Sequence, residues 1–522
     1  MRSTARVGLL WVVLVFYFLG GVAGGCTDSG GIHIAIQLPD DALSPVMQNL
    51  ARLELVAQVD GQPAQNLTRD VPAGPFGAPP IGFGELAIGQ GVHLSLFGFS
   101  ASGRLVGFGR AASTVDIKAG GSVQVRIPLR RPFAYVAGGS SLLACDTTVE
   151  PGSAFVAPLG AAAASRAVAT TPDGNQLLTI GGDSLVILST AQHKPSGAPA
   201  TPVAPGATEI AVSPDSRWAV IVHAGSAAGA GVSIVNLATG SAPTFVAIDA
   251  AGGVAVANDI AWVLVNPSIA GPQACSQGSQ LVPVTLATGA AGAPVSLAGA
   301  ARDLALSSDG KTLFVAEPCQ NAIVAVTGGG ASQVKLIGMP GPTQVAVGES
   351  RVWGLGSDSS PSEHLVLDSV NADGSAASRL DIAATQELAK SNDLTEAGQV
   401  TEVRLDADQI EAYSMSVLPD GRNVVLLVHG TYHADEVVRP VEVGGVTFNQ
   451  SIVPALDMET YEYQLVDVTT GVPTQRMRTS CNIDWDKGVA LLDDWSCASA
   501  QGQVTASEDF VARQATVLYG AH

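Results

Sequence analysis

The chain has 522 residues and a formal net charge of -20 at pH 7, and its residues are 47% hydrophobic but only 5% aromatic. This length exceeds a single compact core, so the chain holds at least two domains unless a closed ring of repeats takes up most of it. An acidic surface repels phosphate backbones, which argues against nucleic acid as a partner. The 59 glycines and 30 prolines favour short strands joined by tight turns over long helices.

Residues 1–25 have the pattern of a signal peptide. Arg2 and Arg6 precede the apolar run VGLLWVVLVFYFL, which is too short to span a bilayer stably. The small residues directly before Cys26 resemble the bacterial lipobox, in which the cysteine is acylated and becomes the new N-terminus. That resemblance implies lipidation of Cys26, a membrane partner held through N-terminal lipid, and a bacterial cell envelope location at the outer membrane or periplasmic face. The alternative is an ordinary signal peptide cut near Ala23, which leaves Cys26 as a plain thiol.

Residues 26–131 predict a small β-sandwich. Alternating or β-branched runs such as GIHIAIQL, ARLELVAQVDG and GSVQVRIPL are separated by Gly, Pro, Asn and Asp at intervals that suit strands. The pattern resembles an immunoglobulin-like or carboxypeptidase-regulatory-like sandwich. No catalytic motif is found in this region.

A repeat begins after residue 131. Residues 166–189, RAVATTPDGNQLLTIGGDSLVILS, read as three strands joined by a Pro-Asp-Gly turn and a Gly-Gly turn. In such a turn Pro fixes φ, the Asp side chain accepts local hydrogen bonds, and Gly tolerates positive φ. Most of the turns lie about 40 to 50 residues apart, the length of one four-stranded propeller blade, and they recur at Asp173, Asp215, Asp259, Asp309, Glu349 and Asp420.

The segment around Tyr135 resembles the middle hairpin of the YVTN/NHL-type bacterial β-propeller repeat, which implies a propeller over residues 132–522. The predicted fold class is therefore all-β: an N-terminal β-sandwich followed by a seven-bladed propeller. Eight blades are the alternative, because residues 480–522 could build a blade of their own. Residues 132–164 supply only three strands, so the fourth strand of the first blade should come from DKGVALLDDW or DFVARQATVLYG near the C-terminus.

Two insertions interrupt the last repeat. Residues 376–412 include TQELAKSNDLTEAGQ, predicted as a short helix or a loop, and the second insertion covers residues 429–459. Insertions in repeat folds map to one rim, and rims carry binding, so this region is the expected functional surface. Trp218 and Trp262 both follow the turn aspartate by the same interval, which predicts equivalent positions that pack between blades.

Two groups of residues contain metal-ligating types. The segment HGTYHADE places imidazoles and carboxylates close together without a helical metal-binding motif, so it is interpreted as a solvated loop: His429, His433, Asp435 and Glu436. A second group follows the spacing of a calcium loop but has Lys487 where Gly is required, so it is interpreted as an acidic surface turn: Asn482, Asp484, Asp486 and Asp493. No metal, cofactor or catalytic residue is predicted.

The cysteines predict two disulfides, because an exported chain permits them. Cys481 and Cys497 bracket the acidic turn, whereas Cys275 and Cys319 follow the second strands of adjacent repeats. Cys145 remains and is interpreted as a buried small apolar residue.

Two function hypotheses follow. The first is a membrane-anchored envelope lipoprotein that acts as a non-enzymatic binding or scaffold module through its propeller rim, with a protein or glycan partner that the sequence does not identify. The second is a propeller hydrolase or dehydrogenase, lactonase-like or quinoprotein-like, with a metal-dependent site at the channel mouth. Three or more converging Asp, Glu or His side chains there would favour the enzyme. Fold alone does not decide between the two.

Overall fold

The computed structural model describes residues 29–37, 50–59, 64–71, 81–87, 89–111, 113–138, 141–148, 156–159, 165–224, 229–265, 275, 278–307, 310–330, 332–348, 351–358, 364–383, 387–391, 401–434, 437–453, 456–478, 497–499, 502–504 and 512–517. The predicted signal peptide and Cys26 lie outside these residues. Within them, no helix has the length and apolarity needed to cross a membrane.

The protein is all-β, as predicted. In the described part of the chain, helical geometry is limited to 3-10 turns, at Pro318–Gln320 and Gly328–Gly330 and at Cys275. Two compact units are distinguished by their internal contacts, and the final change from the first unit to the second falls between Leu129 and Arg130.

The first unit is built from two sheets, and the strands bury one of their faces. One sheet has the order Ile81–Ala87, Ser29–Gln37, Ser122–Pro128, and its last two strands run parallel. The other contains Gln65–Asp70, Leu50–Gln58 and Gly89–Ser100, with Val115–Ile117 paired to the longest strand. Burial alternates along Leu50–Gln58, where Leu53 and Leu55 are fully buried, as expected for a sandwich strand with one solvated face. The strand Leu105–Arg110 follows in the chain, and most of it belongs to the second unit.

The second unit is a β-propeller in which each blade is one antiparallel sheet. The strands of the blades, in chain order, are as follows: blade 1, Phe133–Gly138, Ser141–Asp146 and Val156–Leu159; blade 2, Ser165–Thr170, Gln176–Gly181 and Ser184–Ser189, with Lys194–Pro195 and Thr201–Pro202; blade 3, Ala207–Val212, Trp218–His223, Gly231–Asn236 and Thr244–Ala247; blade 4, Ala251–Val256, Ile260–Val265 and Gln280–Thr285, with Ala290–Ala291 and Val295–Ser296; blade 5, Asp303–Leu306, Thr312–Glu317, Ala322–Thr327 and Ser332–Gly338; blade 6, Pro342–Val347, Arg351–Asp358, His364–Asn371 and Ser378–Ala383; blade 7, Thr401–Val417, Asn423–Ala434, Leu456–Asp467 and Pro473–Arg478, with Glu387–Ser391 beside its first strand.

The ring is closed by the C-terminus. Ala512–Val517 pairs antiparallel with Phe133–Gly138 and so becomes the inner strand of blade 1; it lies within DFVARQATVLYG, one of the two segments that the sequence offered. The inner strands contact one another in succession, and Ala512–Val517 contacts the inner strands of both blade 7 and blade 2. Seven blades therefore occur among the described residues. The number for the whole chain stays a prediction, because residues 479–496 lie outside them. Short strands also occur at Cys497–Ser499 and Gly502–Val504.

Apolar clusters between neighbouring blades hold the ring together. Between blades 3 and 4, for example, Val220 and Val232 pack with Val254 and Val263, and similar clusters join the later blades. Burying one such side chain contributes roughly 1.5–3 kcal/mol to the free energy of unfolding. Because both faces of each blade are buried, the strands read as nearly continuous apolar runs, which explains the high hydrophobic content of a chain with few aromatic residues.

The predicted equivalence of Trp218 and Trp262 is wrong, because the first turns of blades 3 and 4 differ in length. In blade 3 the N–H of Ser213 donates to the carbonyl of Trp218 at 2.8 Å, so this tryptophan directly follows the turn. In blade 4 the N–H of Ala257 donates to the carbonyl of Ile260 at 2.8 Å across a shorter turn. Residues at the same distance from the turn aspartate therefore occupy different positions along the second strands of blades 3 and 4.

Strand register identifies the true equivalent of Trp262. Trp262 pairs with Ala255, whereas Ala211 at the same place in blade 3 pairs with Val220. Trp353 pairs with the corresponding alanine of blade 6 and is the equivalent of Trp262. The predicted packing role is confirmed, since Trp218 and Trp262 each lie against an apolar cluster between blades.

Candidate functional site

Most inner strands begin with a β-bulge at the same end of the channel. The register shifts between Ala207 and Glu209 in blade 3, and equivalent shifts occur in blades 4, 6, 7 and 1. In blade 5 the N–H of Arg302 donates to the carbonyl of Ala316 at 2.9 Å, although Ala316 is already the partner of Asp303. Bulges bend a strand and change the direction of its side chains, and this end of the inner strands carries the polar residues Glu209, Arg302 and Asp303.

Two carboxylates on the channel wall have raised pKa values. Burial and, to a smaller extent, the negative charge of Asp303 raise the pKa of Glu209 to about 8, against a hydrogen bond from the N–H of Val254 that lowers it. Burial also raises the pKa of Asp303 to about 6. Asp303 accepts hydrogen bonds from the N–H groups of Val345 and Leu304, both at 2.8 Å. Since Val345 belongs to the next blade, this carboxylate joins neighbouring inner strands.

An ion pair crosses the mouth of the channel between blades that are not consecutive. The guanidinium of Arg302 in blade 5 donates to the carboxylate of Glu411 in blade 7, with side-chain exposures of 23% and 34%. Thr343 of the intervening blade 6 donates from its hydroxyl to the carbonyl of Ala412 at 2.9 Å. Both charges remain in contact with solvent, so the pair is available to a ligand that enters the channel.

His429 completes this group, which is called the rim cluster below: Arg302, Glu411 and His429. His429 is directly opposite Glu411 in the ladder between the first two strands of blade 7 and is half-buried. Residues opposite each other in an antiparallel pair share a face, with Cβ atoms about 4.5–5.5 Å apart. An imidazole beside a carboxylate and a guanidinium is able to hydrogen-bond a polar ligand or to transfer a proton.

His429 and His433 lie on the strand Asn423–Ala434, so the predicted solvated loop is wrong in its described part. His433 pairs in the ladder with Asp406 and Asp457, but the side chain of His433 lies outside the described residues, as do Asp435 and Glu436. The calcium-like segment lies outside them as well: Asn482, Asp484, Asp486 and Asp493. Among the residues that are described, no group of three or more His, Cys, Asp or Glu side chains is arranged to hold a metal ion.

One predicted disulfide is confirmed. Cys275 and Cys319 are bonded, with Cα atoms 5.5 Å apart, and they join the segments that follow the second strands of blades 4 and 5. Cys481 and the side chain of Cys497 lie outside the described residues, so that pair stays a prediction. Cys145 is a free, fully buried thiol in the apolar cluster between blades 7 and 1. Burial raises its pKa far above the usual range, helped by the nearby charge of Asp146, which suits a packing role.

Blade 7 is much longer than the others. Its first strand, Thr401–Val417, has 17 residues, and its next two strands have 12 each, whereas second strands elsewhere commonly have six. The predicted helix or loop is wrong in its described part, because Glu387–Ser391 is a strand paired with Thr401–Val417. Residues 387–391 add a strand to the edge of the blade 7 sheet, and this pairing overrides their preference for a helix.

A two-stranded ribbon is inserted in the sequence between the second and third strands of blade 7. The ribbon consists of Val437–Val443 and Val446–Val453, joined at Gly444 and Gly445, which both have positive φ. Val443 and Val446 form the last pair before this turn and are 62% and 55% exposed. Large apolar side chains at this exposure are few among the described residues. The second predicted insertion is therefore an ordered β-ribbon with an apolar tip.

Sequence reasoning missed two of the three rim residues. Arg302 and Glu411 are far apart in the chain and belong to no motif, and only strand register places Glu411 opposite His429. A usable signal is that Arg302 directly precedes an inner strand, at the bulge position where side chains are redirected.

Comparison with known proteins supports no functional assignment. No family model matches the chain, and no curated protein matches it at the threshold used. Solved structures with a partial likeness include a functionally unknown protein of Desulfotomaculum acetoxidans, with 14% identity, a TM-score of 0.41 and coverage of 57% of this chain and 91% of that one. A 6-phosphogluconolactonase-like protein of Bacteroides uniformis has 11% identity and a TM-score of 0.38, covering 67% and 100%. A TolB-like protein of Agrobacterium tumefaciens has 14% identity and a TM-score of 0.33, covering 48% and 89%.

Proposed function

We propose that this protein is a lipid-anchored protein of the bacterial cell envelope, and that its propeller is a non-enzymatic binding module that meets a protein partner through blade 7. The observation that carries the proposal is the ribbon, with Val443 62% and Val446 55% exposed at its tip. Within the described residues, the two ribbon strands pair with each other and with no third strand. Such a ribbon is marginally stable alone in water, and its open edges can pair with another chain.

The anchor rests on the residues before Cys26. Acyl chains on this cysteine would hold the protein at a membrane, since each buried CH₂ contributes about 0.8 kcal/mol of membrane affinity. We expect labelled palmitate to be incorporated into the wild-type protein and not into Cys26→Ala, and we expect the variant to move from the membrane fraction to the soluble fraction. A labelled, membrane-bound Cys26→Ala protein would contradict the anchor.

The binding surface is tested by photo-cross-linking in intact cells. A photoreactive residue replaces Val443, Val446 or, as the matched control, Val334, which is 59% exposed on a regular blade. We expect the two tip positions to give the same cross-linked partner and Val334 to give none. Equal cross-linking at all three positions, or none at the tip, would contradict a partner at the ribbon.

The enzyme hypothesis has one observation in its favour, the rim cluster at the channel mouth. Its test is the metal content of purified protein with and without a chelator, together with hydrolysis of lactones and oxidation of alcohols. A turnover that falls at least about a hundredfold in His429→Ala would replace the binding hypothesis. The absence of turnover with stable folding would favour the binding module.

A further inference from the structure

A cleft of about 390 Å³ opens between blades 4 and 5, at the channel end opposite the rim cluster. It is formed by the first turns of the two blades, at Asp259 and Lys311, and by the turn at Gly329 that follows the third strand of blade 5. Its volume falls within the range of about 300–1,000 Å³ that small-molecule sites occupy. The sequence identified Asp259 as a turn residue and Trp262 as a packing residue, but neither as part of a binding site.

The indole of Trp262 lines the cleft, and its structural equivalent provides a comparison. Trp353 occupies the same ladder position in blade 6, but it is only 6% exposed, and the guanidinium of Arg351 lies 5.9 Å from its ring centre. Ile260 stands in blade 4 where Arg351 stands in blade 6. In the described part of blade 4, no guanidinium therefore covers Trp262, which is partly exposed. Its side chain packs against the apolar cluster between blades 4 and 5 and also lines the cleft.

The remaining walls combine an apolar floor with a polar rim. The floor contains four aliphatic residues, Ile260, Leu306, Leu313 and Val326. In the described part of the rim, the charged groups are one carboxylate and one ammonium, on the exposed residues Asp259 and Lys311. A charged ligand would meet a like charge as well as an opposite one, so the rim favours an uncharged ligand that hydrogen-bonds to both.

Glycines, which have no side chain, form part of this rim. Gly310 and Gly329 have φ values of 71° and 65°, a region that side-chain-bearing residues rarely adopt. A Cβ at Gly329 would meet no heavy atom within 4 Å, so the space above it is open.

We propose that this cleft binds a neutral saccharide unit. A sugar ring presents C–H groups on its face and hydroxyls around its edge, which match the indole of Trp262 and the polar rim formed by Asp259 and Lys311. The site uses neither the ribbon nor the rim cluster, so it stands independently of the protein partner proposed above.

The test is calorimetric and fluorescence titration of the full-length protein with neutral sugars at millimolar concentration: glucose, galactose, mannose, N-acetylglucosamine and their β-1,4-linked disaccharides. We expect binding of at least one sugar, weakened at least about tenfold in Trp262→Ala and about threefold in Asp259→Asn. Trp353→Phe is the matched control and should bind as the wild type does. A protein lacking the ribbon should also bind normally, which separates this proposal from the blade 7 proposal.

Three results would overturn the proposal. These are the absence of binding across the sugar panel, wild-type affinity in Trp262→Ala, and binding restricted to anionic sugars such as glucuronate. Asp259 is exposed, so Asp259→Asn keeps the test valid even if replacing the tryptophan prevents folding. Thermal unfolding of every variant confirms that a loss of binding is not a loss of structure.

Discussion

Blades 2 to 6 and blade 7 differ in what their residues contact. In the regular blades, hydrogen bonds at the first turns join one blade to the next; for example, the N–H of Asp173 donates to the hydroxyl of Ser216 at 3.1 Å, and the N–H of Asp215 donates to the side chain of Asn258 at 3.1 Å. Blade 7 has strands of up to 17 residues and a ribbon whose tip is exposed. The difference indicates that the repeated part of the ring supplies stability, and we propose that the part that departs from the repeat recognises the partner.

The largest expected effect is the loss of ring closure. Truncation after residue 511 removes the strand that pairs with Phe133–Gly138 and leaves an open sheet edge. We expect cooperative thermal unfolding of the propeller to be lost, as measured by calorimetry. Replacing Val437–Val453 with a short glycine linker is the matched control, and it should change the free energy of unfolding by less than about 1 kcal/mol. Equal damage from both deletions would refute the assignment of stability to the ring.

A smaller effect is expected from the disulfide between two regular blades. Cys275 and Cys319 are 44 residues apart, and closing a loop of that length contributes about 4 kcal/mol in the chain-entropy model. We expect the double variant Cys275→Ser, Cys319→Ser to lose about that much in denaturant unfolding. Reducing agent should lower the midpoint of the wild type and leave that of the double variant unchanged. A wild-type midpoint that is insensitive to full reduction would contradict the prediction.

The smallest effect concerns Glu209 in the channel wall. Its pKa is raised from 4.5 to about 8 in the folded protein, so the folded state holds a proton that the unfolded state releases between these values. The contribution of Glu209 to the free energy of unfolding should therefore be highest below pH 4.5 and should fall as the pH rises from 4.5 to about 8. We expect Glu209→Gln to flatten this dependence, with a gain on the order of 1–3 kcal/mol above pH 8.

His193 provides a control of opposite sign. It is buried with its Nε2 3.1 Å from the hydroxyl of Tyr135, and burial lowers its pKa to about 4. Protonation therefore favours the unfolded state, and stability should fall as the pH drops from 6.5 towards 4. His193→Gln should flatten the acid side of the profile and leave the alkaline side unchanged. A variant that alters both sides would contradict the separate assignment of the two slopes.

The sequence predicted features that depend on local pattern and missed those that depend on register. Turn chemistry and apolar runs indicated the blades, and the matching positions of Cys275 and Cys319 indicated their bond. The equivalence of Trp218 and Trp262 was wrong because turn length changed between repeats.

The candidate site shows the same limit. The sequence identified His429 as a metal-ligating residue type but interpreted its segment as a solvated loop, and the other members of the rim cluster, Glu411 and Arg302, come from the opposite strand and from another blade. Cross-strand pairing and contacts across the channel are set by the closed ring, so no short motif contains them.

The closing strand also fixes when the protein can become whole. The pairing of residues 133–138 with residues 512–517 joins the first blade to a strand that is synthesised after the other described strands of the ring. The ring therefore stays open until residues 512–517 have been translated. A chain that ends before residue 512 has an unpaired strand edge at residues 133–138. Such an edge is a template for aggregation, so truncated chains should aggregate more readily than the intact protein.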